Sequence, residues 1–334
     1  METNILRINE ESIMTAAELL KKNEIVAVPT ETVYGLAGNG LSPSAVKKIF
    51  EAKGRPNDNP LILHISSTDW LYRYAREVPE LALKLADRFW AGPLTMILPK
   101  KDTVPYETSG GLDTVAFRMP DNKWTLKLID ACGFPLAAPS ANLSGLPSPT
   151  RAGYVYNDLK GKIPLIIDGG ICKCGVESTV VAFKDNGVKI LRPGGVTPEM
   201  LSEICDVEID RAVIDGISDN EKAQSPGMKY KHYSPSADVY LIECRNRARL
   251  EEFINNNYDS KTYALVRETK NIKAKTLPYG KNAKTEANEL FSSLRKADEL
   301  GASKIYVEAP GKEGMGLAVY NRLIRAAAFK VIKL

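Results

Sequence analysis

The apolar residues of this chain come in short runs, and none is longer than a strand. Runs at 25–28, 61–65, 95–98, 114–117, 136–138, 165–167, 179–182 and 189–191 have the length of buried strands. Between several of them the apolar spacing turns helical, at 13–22, 42–54, 79–89, 124–131 and 197–204. Ser42-Pro43 sets a hydroxyl N-cap before a proline at the first helical position, and Gly54 stands where that helix should stop. Gly133 closes the helix at 124–131, and Thr197-Pro198 opens the one at 197–204. Strands and helices mix without strict alternation, which predicts an α/β domain with a mixed, open sheet, ending near Cys205. Runs this short cannot span a bilayer.

Past that point the pattern changes twice. Residues 206–235 dilute the apolar signal and contain the turn sequence Ser225-Pro226-Gly227. Met228, Tyr230, His232 and Tyr233 stand there among lysines, more than a plain spacer needs. Beyond it, strands at 239–242, 262–266, 304–307 and 330–333 alternate with helices at 247–254, 287–300 and 317–328. That alternation predicts a small parallel, Rossmann-like sheet with helices on both faces. With 334 residues the chain has room for two domains, read as 1–205 and 236–334 joined by a linker at 206–235 that closes over a site. The net charge of +4 is too mild for a dedicated nucleic-acid binder. Five cysteines without a C-x-x-C, and an N-terminus with Glu2, Glu10, Glu11 and no apolar signal core, point to a reduced, cytoplasmic protein. Two histidines, His64 and His232, cannot build a His-based metal cage, and no protein-held metal is expected.

Polar loops follow several strands, where open α/β sheets bind ligands. Pro29-Thr30-Glu31-Thr32 offers two hydroxyls for a small polar substrate, or is a capped turn. Lys53 and Arg55 either complement a helix dipole or present a point charge and a planar fork to a polyanion. His64 ends an apolar strand, where a lone histidine is more often a satisfied structural residue than a base. Arg118 ends another and needs an anion, either a protein carboxylate or a ligand's. Ser140-Ala141-Asn142 is turn chemistry or a pair of short groups for phosphate and ribose. Glu177-Ser178 and Arg192-Pro193-Gly194 repeat the theme. Gly311, Gly314 and Gly316 do not form a G-x-G-x-x-G and read as a tight helix entry.

Together the segments 29–36, 53–65, 92–95, 114–120, 138–145, 175–181 and 191–194, with the joint Lys-x-Arg and Ser-x-Asn pairs, resemble the YrdC-like domain of threonylcarbamoyl-AMP synthases. The string 225–233 is similar to the linker of the long, two-domain form. The resemblance implies a twisted, open mixed sheet with a concave, positively charged face. It implies synthesis of threonylcarbamoyl-AMP and pyrophosphate from L-threonine, bicarbonate and ATP, with Mg²⁺ arriving on ATP, for a downstream tRNA threonylcarbamoyltransferase. By the same resemblance, Lys53, Arg55, Asn59, Ser140, Asn142, Ser148, Arg192 and Tyr230 would surround ATP, with Lys53, Arg55, Ser140 and Asn142 at the reacting phosphates. Thr30, His64, Arg118, Ala138 and Ser178 would surround threonine.

Two other readings compete. A basic concave face would suit an RNA-binding module, against which stands the mild net charge of +4. A hydrogenase-maturation carbamoyltransferase shares a similar domain, but its paired C-x-x-C zinc clusters are missing from this sequence.

Overall fold

The computed structural model describes residues 1–215 and 233–334. They divide into two compact units. The first holds 1–144, 148–173 and the described residues from 177 to 215; the second holds 145–147, 174–176 and 233–334.

The first unit is built on an eleven-stranded mixed sheet. Its strands are β1 (Asn4–Arg7), β2 (Val26–Val28), β3 (Gly35–Asn39), β4 (Ile62–His64), β5 (Leu94–Pro99), β6 (Thr114–Arg118), β7 (Leu136–Ala137), β8 (Leu165–Asp168), β9 (Thr179–Lys184), β10 (Gly187–Arg192) and β11 (Asp206–Ile209). Their order across the sheet is β1-β8-β2-β3-β7-β4-β6-β5-β9-β10-β11. Central strands such as β2 and β4 are wholly buried, as strands covered on both faces must be. One large core runs beneath them, from Leu20, Ile49 and Phe50 to Leu85, Phe117, Leu128 and Ile166.

Local chemistry sets the helix ends. Pro43–Lys53 begins on the Ser42 side chain, which accepts from Ala45 N, and ends on Gly54 at φ +60°. Lys123–Cys132 begins on Asn122 and ends on left-handed Gly133. β3 escapes the apolar pattern because its sequence is Gly-Leu-Ala-Gly-Asn. Small residues are needed there: a Cβ on Gly38 would meet Ile49 and Ile25 side chains at 3.0 and 3.2 Å. β1 is exposed throughout and carries no burial signal, and it joins the sheet through parallel pairing with β8. β11 lies inside the segment read as linker and pairs in parallel with β10.

The second unit carries β12 (Asp238–Glu243), β13 (Thr262–Leu265), β14 (Lys275–Thr276), β15 (Lys304–Glu308) and β16 (Val331–Lys333) in the order β14-β13-β15-β12-β16, all parallel. Leu250 and Ile254 of the helix Arg247–Asn256 share a cluster with Ile242, Ala264 and Tyr306. Alternating positions Leu241, Leu265, Ile305 and Val307 are buried as well, so both faces are covered. The helix Gly314–Ala326 opens at left-handed Gly314, and a Cβ on Gly316 would lie 2.4 Å from Gly311 O. The glycine cluster is therefore a tight helix entry. No helix of the described residues is long and apolar enough to cross a membrane.

Candidate functional site

Lys53 is the last residue of its helix, and the left-handed turn at Gly54 folds the chain back so that Arg55 N reaches Phe50 O. The side chain of Lys53 is buried, not a solvated helix-end charge. Its ammonium donates to Asn142 O at 2.6 Å and to Ser140 O. The pairing of β7 with β3 and β4 sets up this contact, because it carries the chain into a bridge between Gly35 and Ser140. The Ser140 hydroxyl donates to Asn142 Oδ1 at 2.6 Å, and Asn142 Nδ2 to Leu143 O. Arg55, also buried, donates through Nη2 to Asn59 O and Pro60 O. The Asn59 side chain is buried, and its Oδ1 has no hydrogen-bond partner among the described residues.

A second group stands on β4 and β6, which pair in parallel with His64 opposite Arg118. Arg118 Nη2 donates to Glu31 Oε1 at 2.6 Å, and its Nε lies 3.4 Å from Gly92 O. The anion that Arg118 requires is thus a protein carboxylate in this state. His64 is enclosed, with Nδ1 3.3 Å from Ile62 O. Burial first, and the neighbouring Arg118 cation second, push its pKa down to about 3. It is a neutral imidazole at any ordinary pH.

A third group lies on β5, β9 and β10. The Ser178 hydroxyl shares a 2.7 Å hydrogen bond with Thr95 Oγ1 and accepts from Arg192 Nη2 at 3.1 Å. Arg192 Nε donates to Ser178 O, and the Ser148 hydroxyl donates to Glu177 Oε1. Thr30 bonds Thr32 Oγ1 and Val33 O, so its hydroxyl is engaged in the turn. Ala138 N donates to Ile62 O.

The segment 30–34 ties these groups together. Tyr34 N donates to Pro149 O and Tyr34 O accepts from Ala141 N, while Glu31 reaches Arg118. The loops of Ser140, Ser148 and Arg118 therefore share one strip of backbone. Every residue expected around ATP or threonine takes part in this connected set or its immediate neighbours, except Tyr230, which lies outside the described residues. Sequence reasoning did not single out Glu31 or Thr95. The signal for Glu31 was a carboxylate between two threonines in a loop otherwise chosen for its hydroxyls. The arrangement offers buried cations beside small polar groups, which suits an anionic ligand and a small zwitterion. A cleft of about 330 Å³ opens beside it, lined by Thr30, Glu31, Asn122, Lys123, Trp124 and Lys173 among others.

Comparison with known proteins shows the family of the chain. A family model described as telomere recombination, covering Sua5, YciO and YrdC, matches residues 18–194. A second, described as threonylcarbamoyl-AMP synthase, C-terminal domain, matches 196–328. The threonylcarbamoyl-AMP synthase of Pyrococcus abyssi is 46% identical over 332 residues, 98% of this chain and 97% of that protein. That of Bacillus subtilis is 43% identical over 99% of this chain and 97% of its own length. The crystal structure of P. abyssi Sua5 complexed with L-threonine superposes with a TM-score of 0.94 at 43% identity, covering 100% of each chain.

Proposed function

This chain belongs to the threonylcarbamoyl-AMP synthase family, and we propose that it joins L-threonine, bicarbonate and ATP into threonylcarbamoyl-AMP, pyrophosphate and water. One observation carries the reading. Lys53 holds the carbonyls of Ser140 and Asn142, so the helix end that carries Lys53 and the Ser-x-Asn loop, far apart in sequence, meet at one cation.

In this reading Lys53 and Arg55 grip the ATP phosphates, with Asn59, Ser140, Asn142, Ser148 and Arg192 around the nucleotide. Arg118 takes the threonine carboxylate on donors that Glu31 leaves over. His64, held neutral, and Ser178 offer hydrogen bonds, not charge, and Thr30 and Ala138 shape the pocket. The threonine amine adds to carbon dioxide from bicarbonate and loses a proton. The carbamate oxygen attacks the α-phosphorus, and the bond to the β-phosphate oxygen breaks to release pyrophosphate. No enzyme nucleophile is needed, so positioning and charge stabilisation supply the rate. Magnesium enters as part of the MgATP substrate. In this scheme the first unit, β11 included, carries catalysis, and the expected closure of the 206–235 segment through Tyr230 falls on residues outside those described. The product passes to a tRNA threonylcarbamoyltransferase in the cytoplasm. Family membership does not favour the RNA-binding alternative.

The test is pyrophosphate release by the purified protein with MgATP, with and without L-threonine and bicarbonate. Release that needs both supports the reading. Release independent of threonine refutes it.

A further inference from the structure

Glu31 is a buried carboxylate to which the scheme above gives no task. Its Oε1 accepts from Arg118 Nη2 at 2.6 Å, and the two side chains are 6% and 5% exposed. Its Oε2 is enclosed and has no hydrogen-bond partner among the described residues. An ionised carboxylate can accept at about four lone-pair sites, and leaving one of its oxygens unserved inside a protein is costly. What the oxygen lacks is a donor.

Glu31 also lines the 330 Å³ cleft, together with Thr30 and Trp124. The last torsion of a glutamate is broad and two-fold, so a small rotation turns the second oxygen towards an arriving group. Arg118 and Glu31 present a cation and an anion side by side. An α-amino acid carries the complementary pair on one carbon, carboxylate beside ammonium. The two ion pairs match when the ligand lies against the protein pair in the opposite sense.

We infer that Glu31 binds the α-amino group of the amino-acid substrate while Arg118 binds its carboxylate, so that the buried ion pair reads the zwitterion. This rests on the synthase reading. It makes Glu31 the residue that fixes the nitrogen before carbon dioxide is taken up. It also explains why a site that must hold an anion keeps a carboxylate against its arginine.

The test uses the full-length protein and two probes in titration calorimetry. One is L-threonine, and the other is its analogue with a hydroxyl in place of the α-amine. A hydrogen bond to a charged group predicts that the wild-type protein prefers threonine by roughly 10- to 100-fold. Glu31→Gln should shrink the preference to a few-fold, with the anionic analogue held at least as tightly as in wild type because Arg118 loses its counter-charge. Glu31→Asp keeps the charge and should keep the preference. A structural role alone would weaken both probes together in Glu31→Gln, and an undiminished preference would overturn the inference. The wild-type arm stands without any variant, since equal affinity for the two probes also overturns it. Threonine-dependent pyrophosphate release is followed alongside. Release without a preference sinks the role of Glu31 alone; no release sinks the synthase reading.

Discussion

Stability of the first unit should fall in mild acid by an amount set largely by His64. The imidazole is fully enclosed, and burial with the Arg118 cation lowers its pKa from 6.5 to about 3. In the unfolded chain it returns to about 6.5, so below that pH the unfolded state binds a proton that the folded state refuses. Stability from this group is complete above pH 6.5 and is lost as pH falls from there towards 3. At pH 5.0 the unfolded imidazole is protonated about thirty-fold over its neutral form, which costs the fold about 2 kcal/mol relative to pH 7.5. The figure depends on the unfolded value alone, as long as the folded one lies well below 5. Other groups titrate too, so the comparison is between wild type and the non-titrating variant His64→Gln, each unfolded in urea at both pH values without substrate. Trp70, Trp90 and Trp124 all lie in the first unit, so tryptophan fluorescence follows the part of the molecule that carries His64. Wild type should lose about 2 kcal/mol more than the variant between pH 7.5 and 5.0. Equal losses would mean that His64 accepts a proton in place, and the argument for a neutral histidine beside Arg118 would fail.

Lys53→Met keeps the volume of the side chain and removes the ammonium. Two buried carbonyls lose a charged donor, so stability should drop by about 2–4 kcal/mol, and the loss of one electrostatic partner should cut kcat/KM for ATP by about 10²–10³. An unchanged ATP dependence in the folded variant would remove Lys53 from the phosphate site. Two glycines separate backbone strain from crowding. Gly54 has φ +60° with nothing within 4 Å of a built Cβ, so Gly54→Ala should cost only the left-handed term of about 1–2 kcal/mol. Gly175 has φ +82° and would place its Cβ 2.3 Å from Ala287 O, so Gly175→Ala adds overpacking and should cost roughly 2–5 kcal/mol by circular dichroism in urea. Equal costs would show that the chain at 175 yields freely.

What the sequence revealed divides by the range of the cause. Helix ends at Ser42-Pro43 and Gly54 are legible because capping acts within four residues. The parallel sheet of the second unit is legible because burial on both faces leaves apolar runs between helical patterns. β3 is not legible, since glycines with no strand propensity are chosen there for close packing. β1 is exposed and owes its form to pairing with β8 alone. Lys53, Arg55, Ser140 and Asn142 could be picked out by residue type, but not the contact between Lys53 and the Ser140 loop, which depends on pairing across β3, β7 and β4. Arg118 demanded an anion, yet nothing local identified Glu31, 87 residues away, as the protein's own answer.

Carbonyl and carboxylate partners both stand beside the buried cations of the candidate site. Lys53 and Arg55 each donate to a pair of backbone carbonyls. Arg118 instead lies against the whole charge of Glu31. That side is close to neutral before any ligand arrives, which would waste an arginine meant for a simple anion but suits a zwitterion that brings no net charge. A carboxylate substituted beside Lys53 would therefore be expected to weaken ATP binding, whereas removing the carboxylate beside Arg118 should weaken selection for an amino acid.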